Sequence, residues 1–300
     1  CGSRHENTLK CIAVDEKFQG EGCLQIIMTA LTKNAAAAQI SHLFLFTKPM
    51  YLVMFSDMGF YQITSTEDML LMENRKNGIR EYLSRESSQF PAQEGKTAGA
   101  IVMNANPFTN GHRYLVETAA SQCDVLHVFV LSADSSEFPA SIRLDLVKKG
   151  CQDLTNVFVH GSSDYLISHA TFPDYFLKDK ANATQKAAVL DLMIFGEYFK
   201  DAFHLTRRFV GEEPFSLITR VYNEQMKKIL PGFGITVTEI PRCTSPDGTV
   251  ISATHVRKLF LSGSLEELKP FVPETTYTFL ISPEGQTLKK RLTKEKETIS

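Results

Sequence analysis

The 300-residue sequence predicts an α/β protein whose larger part is a doubly wound, mostly parallel sheet. Three observations lead there. From Gly99 onward, segments with strand and helix patterning alternate, as they do in successive βα units. Val125 to Leu131 is a continuous apolar run, which suits a strand covered on both faces. Ala98 to Gln122 reads as a short buried strand (Ala98 to Met103), a turn (Asn106, Pro107, Phe108, Thr109, Asn110, Gly111) and an amphipathic helix with Leu115, Ala119 and Gln122 at helical spacing.

The third stretch also suggests chemistry. The first amides of a helix lack intrahelical partners and carry the positive end of its dipole, so a turn that presents them makes an anion site. Gly111 lets backbone approach such a ligand, His112 sits in the first helical turn, and Thr109 is placed as an N-cap or second donor. The alternative is a Pro-Gly turn that merely caps an ordinary βα unit.

Composition narrows the partners. Lys and Arg number 32 and Asp and Glu 34, for a net charge of -2, which gives no bulk pull toward nucleic acid or membrane. Six cysteines (Cys1, Cys11, Cys23, Cys123, Cys151, Cys243) form no CxxC pair, so neither a zinc site nor a disulfide framework is expected, and a reducing cytoplasm fits. No apolar run approaches the ~20 residues of a membrane helix, and no signal peptide is evident. The length is comfortable for two domains, each with its own core.

Taken in order, Leu9 to Val14 reads as a strand, Asp15 to Gly22 as a loop, and Cys23 to Gln39 as a helix with Leu24, Ile27, Met28 and Leu31 on one face. His42 to Phe46 is a second strand, Tyr51 to Met58 a short helix, and Gly59-Phe60-Tyr61 opens another strand. A polar helix over Ile79 to Ser87 runs into the Ser/Pro/Gly-containing stretch Ser87 to Lys96, a natural boundary between domains 1–90 and 91–300. Beyond it come the strand Val125 to Leu131 and a helix over Ala140 to Gly150. Strands follow at Val157 to His160, Phe203 to Val210 and Ile235 to Ile240, with helices near Thr184 to Phe195 and Ser216 to Ile229. The Lys/Arg-rich tail Leu288 to Lys296 is expected to be a solvated end.

A second motif, Ile251-Ser252-Ala253-Thr254-His255-Val256-Arg257, lies far downstream of Thr109-Asn110-Gly111-His112. The pair, in this order, resembles the nucleotidyltransferase superfamily of Rossmann-like enzymes, whose marks are a [TH]-x-G-H turn and an I-S-x-T-x-x-R segment opening a late helix. Met103 stands where that superfamily's first turn usually begins with Gly, and Asn106 where Asp often precedes the Pro, which suggests a specialised branch. In domain 1–90, Gln19-Gly20-Glu21-Gly22 leading into a helix, with Gly59-Phe60-Tyr61 after it, looks like a partial GNAT-like α+β domain, the acyl-CoA-binding half of that fold. Leu24 replaces a small residue of the GNAT loop, and the early strands of a whole GNAT fold are absent.

Three further stretches, Gly161 to Ser168 with Ala170 to Lys178, Arg208 to Pro214 and Glu239 to Arg242, together with the GNAT-like segment ahead of them, resemble the citrate lyase ligase family, over nearly the whole chain and weakening after about Phe271. That resemblance implies activation of acetate by ATP to acetyl-adenylate, and acetyl transfer to the prosthetic-group thiol of the citrate lyase acyl carrier protein. It implies His112 as donor to the α- and β-phosphates, with Thr109, Asn106 and Gly111 helping to seat them. It places Ser252 and Thr254 on the outer phosphates, Arg257 as a forked cation, and magnesium (Mg2+) held by the nucleotide rather than by a protein cage. Ser252 as a plain N-cap and Arg257 as a surface charge remain open. Acetate needs a cation and a small apolar wall, for which Arg208, Arg242 and Lys178 are candidates, with Ser162 and Tyr165 as neutral donors. Arg208 pairing with Glu212 or Glu213 is the plainer alternative. His127, His160, His169 and His204 have no partner at ligand spacing and are read as structural. Two other functions stay open: an adenylyltransferase acting on a phosphorylated cofactor precursor, and a non-catalytic module sensing nucleotide and acyl-CoA.

Overall fold

A computed structural model of the chain describes residues 1–90, 95–131, 136–161, 163–166, 180–213, 217–245 and 248–299. The elements run β1 (Ser3–His5), β2 (Thr8–Lys10), α1 (Cys23–Ala37), β3 (Phe44–Thr47), α2 (Leu52–Ser56), β4 (Tyr61–Ser65), β5 (Leu70–Glu73), α3 (Gly78–Ser87), β6 (Ala98–Met103), α4 (Asn110–Ala120), β7 (Val125–Val130), α5 (Ala140–Gly150), β8 (Val157–Gly161) and α6 (Lys180–Ile194). After a π-helical turn at Phe195–Phe199 come α7 (Lys200–Ala202), β9 (Leu205–Gly211), α8 (Leu217–Ile229), β10 (Thr236–Ile240), α9 (Ala253–Ser262), α10 (Glu274–Ile281) and α11 (Pro283–Ile299). They divide into two compact units. The first takes in Cys1–Pro91, Asp164–Ala202 and Glu224–Phe233, the second Ala92–Ser163, Phe203–Asn223 and Gly234–Ser300.

In the second unit the sheet order is β10-β9-β6-β7-β8, with every neighbouring pair parallel. The chain builds outward from β6 to β8, then returns to the other side of β6 for β9 and β10. A crevice for ligands opens beside such a reversal, at the carboxyl ends of the strands. Every side chain of β7 is buried, as a strand sandwiched between helices requires. Gly99 in β6 has a packing reason, since a Cβ there would stand 2.7 Å from the Phe209 ring. The buried face of α4 is Val116, Ala119 and Ala120 with Leu115 partly buried against the same core, while Gln122 of the expected stripe lies beyond the helix end and is exposed.

The solvated tail is corrected. α11 carries Leu288 and Leu292, 6% and 4% exposed, into a second core with Phe138, Ile251, Val256, Phe260, Phe271 and Leu280. Four-residue spacing puts the two leucines on one face of a mostly charged helix, and that face suffices to dock it.

The first unit has its own five-stranded sheet, β1-β2-β3-β5-β4, in which only β2 and β3 run parallel. Its strand near the start is shorter than Leu9 to Val14, ending at Lys10, and β5 is an addition to the sequence reading. α1 opens at Gly22 in the left-handed region (φ 78°) without a side-chain cap. A cavity of about 670 Å³ at that helix start is walled mainly by apolar groups such as Ile12, Phe18, Leu24, Phe55 and Met58, with Gln19, Gln25, Thr47 and Lys48 supplying polar ones. Glu73, 2% exposed, is held by the Ile79 amide (3.0 Å), His42 Nε2 (2.8 Å) and the Tyr165 hydroxyl (2.5 Å). Tyr165, an acetate candidate from the sequence, therefore has its hydroxyl committed to a buried carboxylate. Among the described residues no helix is long and apolar enough to cross a membrane.

Truncating Leu292 to Ala is expected to cost about 2–5 kcal/mol of unfolding free energy in a denaturant titration, the usual range for a buried leucine. Unchanged stability would return α11 to the status of a solvated tail.

Candidate active site

The two motifs converge in the second unit. Thr109 caps α4: its Oγ1 accepts from the His112 amide (3.3 Å), while the Thr109 amide donates to His112 Nδ1 (3.1 Å), closing a capping box with histidine in place of the usual Glu. Thr109 Oγ1 also lies 2.8 Å from Nδ1. With Nδ1 occupied as an acceptor, the hydrogen bonds assign the ring proton to Nε2. Ring burial foremost, and then the positive charge of Arg242, lower the His112 pKa to about 4. At neutral pH His112 is thus an uncharged Nε2–H donor.

Ser252 caps α9 by accepting from the His255 amide (3.2 Å). Gly111 sits against that start, for an added Cβ would be 3.4 Å from the Ile251 carbonyl oxygen. The amide of Asn110 donates to the Phe271 carbonyl (2.9 Å), and its side chain donates to that of Pro270 (3.0 Å). Thr109, Gly111, His112, Ser252, Thr254 and Arg257 are therefore gathered around two adjoining helix starts, each an anion-favouring end.

Arg257 is not a loose surface charge. Its Nη1 donates to the Asn106 carbonyl (2.6 Å), its Nε to Glu137 Oε1 (3.0 Å), and its Nη2 to Thr254 Oγ1 (3.3 Å). Asn106, 7% exposed, donates through Nδ2 to Glu137 Oε2 (2.8 Å) and accepts from the Phe138 amide (3.0 Å). Burial works against the charge on Glu137, but the Asn106 amide and Arg257 outweigh it, so the carboxyl titrates below its ordinary value.

Two residues here escaped the sequence reading. Glu137 lies in the β7–α5 loop, at the carboxyl end of a strand. Arg143 is fully buried and donates to the carbonyls of Phe138 (2.9 Å), Asn104 (2.8 Å) and Leu131 (2.6 Å), joining the ends of β6 and β7. A signal for Arg143 existed: it occupies the apolar stripe of α5 with Leu146, Val147 and Gly150, and an arginine in such a stripe needs buried acceptors.

The acetate candidates separate. Arg242 pairs with Glu213 and donates to the Glu212 backbone carbonyl. Arg208 is buried in β9, and Tyr165 belongs to the first unit. Ser162 and Lys178 lie outside the described residues, as does His169. His127 and His160 do meet, Nδ1 to Nε2 at 2.8 Å, inside a cage of Phe129, Phe158 and Phe203. Among the described residues no cluster of three or more His, Cys, Asp or Glu could hold a metal.

Burial also lowers His127 to about 4 and His160 to about 3, the second assisted by the neighbouring His127. Three histidines thus bind protons more weakly folded than unfolded. Their contribution to stability is complete above pH ~6.5 and declines as pH falls toward ~4, where the unfolded chain takes up the extra protons. We expect the melting temperature to fall across that window, and the imidazole NMR spectrum at pH 6 to show His112 neutral with its proton on Nε2. A His112 ring titrating near 6.5 would contradict the buried, capped geometry.

A model of the citrate lyase ligase C-terminal domain matches residues 98–280. The chain is 42% identical over 286 residues to the citrate (pro-3S)-lyase ligase of Escherichia coli (strain K12), covering 93% of this chain and 80% of that protein. It is 43% identical to the Klebsiella pneumoniae ligase (94% and 83% covered) and 39% identical to that of Haemophilus influenzae (93% and 84% covered). By its sequence along nearly its whole length, with both helix-start motifs in one site, the chain belongs to the citrate lyase ligase family.

Proposed function

We propose that the protein activates acetate with ATP and transfers the acetyl group to the prosthetic-group thiol of the citrate lyase acyl carrier protein, releasing AMP and pyrophosphate. Family membership supplies the reaction class. The observation that carries the site assignment is the junction of the α4 and α9 starts, where an uncharged His112 donor, Thr254 and Arg257 stand together. A triphosphate laid across two helix starts meets amides, hydroxyls and a guanidinium, the donor set its charge requires.

In the first half-reaction an acetate oxygen attacks the α-phosphorus, the bond to the bridging oxygen breaks, and pyrophosphate leaves with that electron pair. In the second, the carrier thiolate attacks the acetyl carbonyl and AMP departs. Neither step requires a covalent protein nucleophile, so catalysis rests on alignment and on donors aimed at developing charge. His112 donates through Nε2 to the α- and β-phosphate oxygens without having to be protonated. Thr109 holds that ring by the capping box, Gly111 gives the phosphates access to backbone, and Ser252 fixes the start of α9. Magnesium would be carried by phosphate oxygens, since Glu137 is already committed to Asn106 and Arg257. Among the acetate candidates, Arg242 is the one whose charge is felt at His112, with Glu213 and the Glu212 carbonyl holding its guanidinium.

The segment 1–90 is proposed as the GNAT-like side of the enzyme, and its cavity at the α1 start as the place for an acyl-thioester arm. A cytoplasmic setting fits the free cysteines. Nucleic acid and membrane have no part in this reading.

The test is mass spectrometry of deacetylated citrate lyase carrier incubated with the protein, ATP, magnesium and acetate. Gain of one acetyl group with formation of AMP is expected; transfer of the adenylyl group to the carrier, or no modification, would contradict the assignment. His112→Ala should leave ATP binding within a few-fold while lowering turnover by ~100-fold or more, the scale of a lost transition-state donor. Unchanged turnover in that variant would remove His112 from the mechanism.

A further inference from the structure

We infer that Glu137 is a positioning residue of the nucleotide site: its carboxylate locks Arg257 and Asn106 together, so that the turn after β6 and the start of α9 present their donors to one phosphate chain. The inference rests on the reading of these two starts as the ATP site.

The geometry is a closed ring of hydrogen bonds through three separate segments. Glu137 Oε2 accepts from Asn106 Nδ2 (2.8 Å) and Oε1 from Arg257 Nε (3.0 Å), while Arg257 Nη1 returns to the Asn106 carbonyl (2.6 Å). The amide of Phe138, the next residue, donates to Asn106 Oδ1 (3.0 Å), so the β7–α5 loop grips both ends of the Asn106 side chain. Arg143 anchors the same loop through the Phe138 carbonyl and ties it to Asn104, two residues before Asn106. Each terminal nitrogen of Arg257 bears two N–H groups and has one acceptor among the described residues, the Asn106 carbonyl for Nη1 and Thr254 Oγ1 for Nη2, so one N–H on each remains for an anion. Fixing the Nε edge of the guanidinium therefore aims the opposite, terminal edge. Without Glu137 the Arg257 side chain would have many rotamers to lose on binding phosphate, and Asn106 would lack an acceptor for a largely buried amide.

Gln at this position retains the volume but cannot keep both bonds. Its carbonyl can serve either Asn106 Nδ2 or Arg257 Nε, and its amide then faces the other donor. Asp keeps the charge with a shorter reach.

The experiment measures ATP–magnesium affinity by calorimetry for the wild type, E137Q, E137D, R257A and the E137Q/R257A double variant, with the melting temperature of each. Carrier acetylation is followed in parallel. E137Q is expected to weaken ATP by about tenfold or more, the scale of a hydrogen bond to a charged group, with its melting temperature close to wild type. R257A added to E137Q should cost little more, because the two side chains act as one unit, and E137D should recover part of the loss. The inference is overturned if E137Q and E137D bind ATP as the wild type does, or if the losses from E137Q and R257A multiply as for independent sites. Should E137Q fail to fold, E137D and its double variant with R257A carry the same cycle. Wild type that binds ATP without acetylating the carrier would defeat the proposed acceptor and leave the Glu137 result standing. Wild type that does not bind ATP would remove both.

Discussion

The site depends on holding a polar turn in place at the end of an apolar strand. β6 ends at Met103, and the chain must then turn within a few residues to begin α4 at Asn110. Backbone carbonyls in such a turn have no sheet or helix partner and must find donors elsewhere. The protein supplies two arginines. Arg143, wholly buried, takes the carbonyl of Asn104, and Arg257 takes that of Asn106. Since Arg257 belongs to α9, satisfying the turn also draws a late helix to an early one. By this means the two helix starts become neighbours, and the anion site proposed there rests on the same bonds.

Neutrality of His112 follows from a similar economy of partners. Its Nδ1 is consumed by the cap of its own helix, and partial burial together with the charge of Arg242 lowers its pKa, so the half-buried ring is neutral at pH 7. A histidine used this way delivers a directed N–H rather than a charge. That suits a reaction in which charge gathers on phosphate oxygens only in passing, while the standing positive charge comes from Arg257 and from the helix ends. The acid sensitivity expected of His112, His127 and His160 arises from the same burial.

Much of this was legible in the sequence. The strand Ala98 to Met103 and the helix Ala140 to Gly150 were readable to the residue, because a short continuous run of small and apolar side chains, and a helical stretch that opens after Pro139 and closes on Gly150, are local signals. The two helix-start motifs were readable because each packs its donors into a few consecutive residues. Glu137 was not, since its importance lies entirely in partners 31 residues before it and 120 after it in the chain. The docking of α11 was hidden for another reason: among its described side chains two leucines on a Lys- and Glu-rich helix meet the core, and lysine-rich composition dominates the pattern. His127 pairs with Phe158 and His160 with Phe129 on adjacent parallel strands, so the two imidazoles meet diagonally across a register that sequence spacing does not express. The pairing of Arg242, just after β10, with Glu213 is likewise a contact between distant segments that sequence spacing does not express.

The central claim is that this junction of helix starts activates a carboxylate with ATP before any thiol is involved. ATP–pyrophosphate exchange, measured without carrier protein and with acetate present or absent, tests it most directly. The account predicts exchange that requires acetate and is lost in His112→Ala. Exchange that ignores acetate, or none in protein that binds ATP and acetylates its carrier, would contradict a free acetyl-adenylate intermediate formed at this site.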